Sequence, residues 1–320
     1  MIVVTGGEGF IGKNLIKELE RQDNIGVISL DTKNESLDSI YQWLIKHEKE
    51  IDCIYHLGAI TDTTVMDKNL FDKFNVECSI FIWNLCTYNQ IPLIYASSAA
   101  TYGDGEEGFD DEKDIINLKP LNPYGWSKQQ FDVWAETQEQ QPPNWYGLKF
   151  FNVYGYGEEH KKNMASVVYQ KYLEIKANEE YVDDCVKSDG SFCGSLHVNL
   201  FKSHRPNYKD GEQARDFIYI DDVIDVCLFL YKEKPLSGIY NVGTGKARTF
   251  NDLVNAVFKS LGTMQNISYI DIPIKIRDKY QYFTEAKTNK LRYTAGYTAM
   301  FHELEDGISK YINKLNDKTC

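Results

Sequence analysis

Gly6-Gly7-Glu8-Gly9-Phe10-Ile11-Gly12 decides the fold of this chain. A short β-branched run, Ile2 to Thr5, leads into it, and Ile11, Leu15, Ile16 and Leu19 follow at helical spacing. In a strand–turn–helix of this kind, glycine removes the Cβ atoms that would keep a pyrophosphate from the backbone. The helix N-terminus then offers N–H donors and a partial positive charge. Gly7-x-Gly9-x-x-Gly12 alone is often only a turn. What sharpens it is Asp31, which ends a strand expected over 26–31 and supplies the acid due about 20 residues further on. Asp31 would accept hydrogen bonds from an adenosine ribose, which favours NAD. A 2′-phosphate would need a compensating cation, and Lys33 can be one, so NADP and NAD both stay open.

Outward from the turn, strand-like and helix-like segments alternate. Strands are expected at 53–56, 93–97 and 147–152, an amphipathic helix at 71–86, and a further helix through Tyr124, Lys128, Phe131 and Trp134. This alternation predicts an α/β chain with a doubly wound parallel sheet covered on both faces. The stretch between Asp31 and Ile51 is short, which predicts a trimmed crossover there. After about Tyr154 the alternation weakens, and 183–199 reads as a polar, glycine-containing excursion. Strand-like segments return at 217–220 and 238–242. The expected division is therefore a dinucleotide-binding domain of 1–154 plus 216–244, and a smaller lobe of 155–215 plus 245–320.

At 320 residues the chain can bury a large core, and no apolar run approaches the roughly 20 residues that span a bilayer. Met1-Ile2-Val3-Val4-Thr5 carries no basic segment before an apolar one, so a cytoplasmic protein without secretory signal is expected. The formal net charge of −12 disfavours nucleic acid and anionic membrane as partners. Seven cysteines without a C-x-x-C pair point to reduced thiols, and six scattered histidines give no reason to expect a metal. Lys202, His204, Arg205, Lys209 and Arg215 form a local basic cluster. Its plain reading is a solvated loop, and its functional reading is a diphosphate site.

Tyr124-Gly125-Trp126-Ser127-Lys128 places a phenol and an ammonium four residues apart, on one helix face. A tyrosine of ordinary pKa is about 0.1% ionised at pH 7. Service as a base near neutrality asks for about 4 kcal/mol of preference for the phenolate. A nearby lysine and a positive nicotinamide ring could supply it. Ser98, at a strand end 26 residues earlier, can bond a substrate oxygen, although a Ser-Ser pair there usually only caps a turn. The order glycine turn, Ser98, Tyr124, Lys128 is what makes the set specific.

These motifs, with SSAATYG at 97–103, NPYGWSK at 122–128, FFNVYG at 150–155 and NVGTG at 241–245, resemble the extended short-chain dehydrogenase/reductases acting on nucleotide sugars. His160-Lys161 before Met164-Ala165-Ser166-Val167, Leu200-Phe201, Arg215-Asp216-Phe217 and Tyr280-Gln281-Tyr282-Phe283-Thr284 are similar to the branch that epimerises ADP-heptoses at C6. The resemblance implies a Rossmann-type sheet with a smaller C-terminal α/β substrate lobe. It also implies a tightly bound NADP (NAD in some members), a small nucleotide-sugar substrate, and a homo-oligomer. The implied reaction interconverts ADP-D-glycero- and ADP-L-glycero-D-manno-heptose by transient oxidation at C6, for lipopolysaccharide core precursors.

Residue by residue, the resemblance implies Ser98, Tyr124, Lys128 and Lys161 as catalytic. Tyr124 and Lys161 are the two acid/base groups, and Lys128 orients the cofactor and lowers the tyrosine pKa. Gly6, Gly9, Phe10, Ile11, Gly12, Asp31, Thr32, Asn75, Tyr124, Lys128, Val153 and Lys161 would line the cofactor. Asn152, Asn163, Phe201, Lys202, Ser203, Arg215 and Tyr280 would meet the nucleotide sugar, as would Gln170, where the family commonly has a histidine. A UDP-hexose 4-epimerase is the nearest alternative, and the His160-Lys161/Met164 block argues against it. A non-catalytic dinucleotide-binding protein is a further alternative, which retention of Ser98, Tyr124 and Lys128 disfavours.

Overall fold

A computed structural model describes residues 1–22, 26–183, 197–277 and 280–317. In chain order the strands are β1 (Ile2–Thr5), β2 (Val27–Leu30), β3 (Cys53–His56), β4 (Leu93–Ser98), β5 (Trp145–Phe150), β6 (Asn152–Tyr154), β7 (Val198–Phe201), β8 (Ala214–Tyr219), β9 (Gly238–Val242), β10 (Ala247–Thr249) and β11 (Ile267–Ile270). The helices are α1 (Phe10–Arg21), α2 (Leu37–His47), α3 (Lys68–Phe71), α4 (Cys78–Asn89), α5 (Pro123–Glu136), α6 (Val167–Asp183), α7 (Ile220–Glu233), α8 (Phe250–Leu261), α9 (Ile274–Arg277) and α10 (Leu304–Asn316). The chain divides into two compact units. The first is Met1–Phe151, Ile220–Gly245 and Ala286–Met300, and the second is Asn152–Tyr219, Lys246–Glu285 and Phe301–Cys320.

The first unit is built on a six-stranded sheet in the order β2-β1-β3-β4-β5-β9, every pair parallel. Side-chain alternation sends Val3, Ile54 and Tyr95 to one face, where they join a core with Ile40 and Leu44 of α2, Ile82, Trp83 and Cys86 of α4, and Phe131 and Ala135 of α5. Each fully buried valine, leucine, isoleucine or phenylalanine among them contributes roughly 1.5–3 kcal/mol. On the other face Tyr55 reaches α7, donating its hydroxyl to the Cys227 carbonyl at 3.1 Å. The chain runs from β1 to β2 on one side and then to β3 on the other. That reversal opens a crevice beyond the carboxyl ends of β1 and β3, where ligands of such sheets bind.

Three expectations are corrected. The crossover after Asp31 is complete: α2 has eleven residues, and the Ser36 hydroxyl caps it by accepting the Ser39 N–H at 3.1 Å. The helix expected over 71–86 is longer and interrupted, passing from α3 through a π-helical stretch, Asp72–Glu77, into α4. The division of the chain also shifts. Residues 216–219 belong to the second unit, because β8 pairs there with β6 and β10. Residues 286–300 belong to the first, where Ala286 joins the core and Phe229 meets Tyr297 edge to face.

The second unit holds a three-stranded sheet, β10-β8-β6, and a parallel pair, β11-β7. Helix α10 buries Ile308, Tyr311 and Ile312, and Tyr311 stacks on Tyr169 of α6. The excursion expected over 183–199 lies largely outside the described residues; its end enters β7. Cys53, Cys78, Cys86 and Cys227 are buried free thiols. Among the described residues no helix is long and apolar enough to cross a membrane.

Gly6 fixes the crevice geometry. Its φ is +70°, and a Cβ there would lie 2.5 Å from the backbone N and Cα of Gly58, just after β3. Gly6→Ala is expected to lower the unfolding free energy by about 2 kcal/mol or more, through strain and collision together. Chemical denaturation checks this, and a wild-type midpoint would contradict it.

Candidate active site

The carboxyl ends of the first unit's strands carry a dense set of polar groups. Gly9 caps α1 without a side chain, and its N–H bonds the Gly6 carbonyl at 2.9 Å. Phe10 and Gly12 are buried, and Ile11 is half-buried. Asp31 is buried at the end of β2. Its carboxylate accepts the Glu8 N–H at 3.0 Å and the Lys33 N–H at 2.9 Å, which locks the glycine turn to β2. The Lys33 ammonium donates to the Glu8 carbonyl at 3.0 Å, so a cation stands beside Asp31, while Thr32 is exposed. A turn that excludes a Cβ at position 6, followed by a helix N-terminus and a carboxylate, fits a dinucleotide.

His56, at the end of β3, ties this region to the next. Its Nδ1 is 2.7 Å from Thr5 Oγ1 and its Nε2 is 2.9 Å from Ser79 Oγ. Ser79 donates to the Asn75 carbonyl at 2.6 Å, so Nε2 carries the proton and Nδ1 accepts from Thr5. Burial first, and the Lys128 charge second, pull this imidazole down to about 3, so it is neutral. Asn75 sits in the π-helical stretch, a common device at functional sites. Its amide pairs with both backbone groups of Ile60, at 2.8 and 3.0 Å, and donates to Ser127 Oγ at 2.9 Å.

Helix α5 begins on Asn122, whose Oδ1 accepts the Gly125 N–H at 2.8 Å, with Pro123 in the first turn. A Cβ on Gly125 would lie 2.8 Å from the Ala100 carbonyl, so glycine lets the helix close on the turn after Ser98. Ser98 Oγ accepts the Ala100 N–H at 3.1 Å and acts on the Tyr124 phenol from the end of β4. Lys128 is buried and donates to the Ala96 carbonyl at 2.8 Å. Burial pulls it down to about 8, against the opposing charges of Asp132 and Cys78. The expectation of a lowered tyrosine is corrected for the protein by itself. Burial raises Tyr124 above its ordinary value, Asp132 adds to the rise, and Ser98 pulls it back.

The second unit holds the remaining residues in two groups. Lys161 is half-buried in a short helical turn, Glu159–Met164, that bends at Lys162 with φ +50°. Glu158 is fully buried just before it and clamps this segment. Its carboxylate accepts the Ser166 N–H at 2.5 Å, the Ser166 hydroxyl at 2.6 Å and the Gly155 N–H at 3.3 Å. Burial lowers the Lys161 ammonium and the Glu158 charge pushes it back up. Gln170 is exposed and spends its amide donors on the Asn163 and Ala165 carbonyls, at 3.0 and 2.8 Å, bracing the same loop.

The other group is aromatic and cationic. Arg215 is buried, with Tyr280 and Phe250 at 5.4 and 5.7 Å from its guanidinium, and Phe201 meets Tyr280 edge to face at 5.7 Å. The guanidinium donates to the Ala214 and Gln281 carbonyls, and among the described residues it makes no ion pair. A buried cation satisfied only by carbonyls suits an anionic ligand. Ser203 is instead engaged in its own turn through the Arg205 carbonyl, and Lys202 is 3.9 Å from Asp271. Asn152 is exposed and Val153 half-buried on β6. Among the described residues no cluster of three or more His, Cys, Asp or Glu could hold a metal ion.

Sequence reasoning missed Glu158, Asp132 and Lys149. Lys149 interrupts an otherwise apolar strand and Asp132 lies between apolar positions of α5, and charges at such positions were the available signal.

Residues 2–243 match the NAD dependent epimerase/dehydratase family. The chain belongs to that family. Among its members, proteins named ADP-L-glycero-D-manno-heptose-6-epimerase are 39% identical in Fusobacterium nucleatum and 40% in Nitratidesulfovibrio vulgaris, each over 98% of this chain and 97% of that protein. The crystal structure of the Helicobacter pylori enzyme of the same name has a TM-score of 0.75 and 28% identity, covering 98% of this chain and 96% of that one. As an epimerase/dehydratase family member the chain is an enzyme using a nicotinamide dinucleotide.

A Lys128 pulled to about 8 predicts that affinity for the anionic dinucleotide falls as pH rises through that value, because the ammonium loses its charge. Titration of the dinucleotide-stripped protein from pH 6.5 to 9.5 checks this. The fall should vanish in Lys128→Met, and a flat wild-type profile would contradict it.

Proposed function

We propose that this enzyme interconverts ADP-D-glycero-D-manno-heptose and ADP-L-glycero-D-manno-heptose, with no net redox change. One observation carries the reading: Lys128 buried on the helix face of Tyr124 and tied to the Ala96 carbonyl of the strand that ends in Ser98, in a chain 39–40% identical over 98% of its length to proteins of that name. Bound at the glycine turn, a nicotinamide dinucleotide supplies the hydride acceptor that becomes the hydride donor.

The chain's residues handle protons and position. Ser98 donates to the reacting oxygen, and Tyr124 exchanges the hydroxyl proton of C6. Raised by burial, the phenol is held protonated at neutral pH, the form that delivers a proton when the ketone is reduced. The reverse role draws on the positive charge of Lys128. A ketone reduced on either face presents its oxygen in two directions, so two acid/base groups serve it. Lys161, braced by Glu158, is the second. Arg215, Phe201 and Tyr280 receive the diphosphate and nucleotide of the sugar, while Asn163 and Gln170 stay with the Lys161 loop.

For the cofactor, Lys33 beside Asp31 supports NADP, and the Asp31 carboxylate supports NAD as the second reading. Acid release and mass measurement of the resident dinucleotide distinguishes them.

NMR of ADP-D-glycero-D-manno-heptose with pure protein and no added cofactor should report inversion at C6 at unchanged mass. Turnover of UDP-hexoses alone would overturn the reading in favour of a 4-epimerase. Tyr124→Phe and Lys161→Met should each lower kcat by about 100-fold or more while the dinucleotide stays bound. A fully active Lys161→Met would remove the second acid/base assignment.

A further inference from the structure

The first unit buries a charge pair that the mechanism above does not use. Lys149 of β5 and Asp132 of α5 are both fully buried, with Nζ 2.8 Å from Oδ2. Asp132 follows Lys128 by one helical turn and Tyr124 by two. Its carboxylate also accepts the Ser97 hydroxyl at 2.6 Å and the Tyr95 hydroxyl at 3.1 Å, both from β4. Lys149 stands opposite Ser97 in the β4–β5 register. It donates to Thr101 Oγ1 at 2.6 Å, and Thr101 in turn donates to the Ser98 carbonyl at 2.8 Å. Ser97, Asp132, Lys149, Thr101 and Ser98 thus form a closed ring around the turn that presents the Ser98 hydroxyl.

A buried ion pair is a poor device for stability alone. Desolvation offsets most of its attraction, and an uncharged pair of similar volume often does as well. What a charged ring supplies is a single register, because a slip of β4 against α5 would strand two charges. The Ala100 carbonyl, packed where Gly125 has no Cβ, leaves little slack on the same contact.

We propose that Lys149 and Asp132 are positioning residues, locking the Ser98 turn against helix α5 so that the Ser98 hydroxyl meets the Tyr124 phenol. The pair acts through Ser97 and Thr101, without itself touching substrate. The inference rests on the reading of Ser98 and Tyr124 above.

The test compares wild-type enzyme with Lys149→Met, Asp132→Asn, their double variant, Lys149→Arg and Thr101→Val, reading thermal midpoint, kcat, KM and bound dinucleotide. Lys149→Met leaves Asp132 buried alone and should lower the midpoint by about 6 °C or more. The double variant is uncharged at the pair and should recover most of that loss. Its kcat should nonetheless stay about 10- to 100-fold down, with KM within about two-fold and dinucleotide retained, because the turn is no longer held in register. Lys149→Arg, which keeps the cation and its donors, should stay near wild-type kcat. Thr101→Val cuts the link to Ser98 and should lower kcat with little change in midpoint. Recovery of kcat together with midpoint in the double variant would overturn the proposal and leave a purely structural pair. Full activity in Thr101→Val would overturn it too, and that variant decides if the double does not fold. Tyr124→Phe, assayed alongside, separates the failures: an active Tyr124→Phe breaks the underlying reading, whereas an inactive one beside an active double variant breaks only the positioning role.

Discussion

The ends of β1 and β3 come together so closely that no side chain fits between them. At Gly6 a Cβ would sit 2.5 Å from Gly58, and the left-handed backbone there is one that few other residues adopt. At this approach the order of strands in the sheet reverses, and the N-terminus of α1 emerges beside it. Asp31 then needs only two backbone N–H groups, from Glu8 and Lys33, to fix the turn's outer wall. A dinucleotide site follows from backbone geometry before any catalytic side chain is considered.

The chain handles buried polarity in two ways. The Thr5–His56–Ser79 chain is uncharged, because burial keeps the imidazole neutral, and it joins β1, β3 and α4 by hydrogen bonds alone. The Lys149–Asp132 pair is charged and fully buried, and removing either partner would cost about 3–5 kcal/mol. In the second unit Glu158 is buried with three donors, beside Lys161. Tyr169 of α6 and Tyr311 of α10 also face its charge. Arg215 is buried among rings and carbonyls.

Much of this was legible in the sequence, for physical reasons. Local signals carried the glycine turn, β3 at Cys53–His56, and the Tyr124–Lys128 face of α5, because each depends on neighbours within a few residues. The π-helical stretch at Asn75 was not legible. Within it the Asn75 side chain pairs with the backbone of Ile60, fifteen residues away. The helix after Asp31 was underestimated, since eleven residues suffice once Ser36 caps it. The division of the chain was misjudged at 216–219 and 286–300, because strand pairing and core membership are decided by contacts distant in sequence. The tyrosine was expected to be acidified by Lys128, but in the protein by itself burial raises it, Ser98 pulls it back and Asp132 adds to the rise.

In the proposed reaction hydride leaves and returns to the same carbon. The alternative route to inversion at a carbon bearing hydroxyl is proton removal from carbon, and it exchanges that hydrogen with solvent. ADP-heptose carrying deuterium at C6 distinguishes the two. Retention of the label at C6 in both epimers, in ordinary water and with no added cofactor, is the result predicted here. Replacement of the deuterium by solvent hydrogen during epimerisation would contradict it.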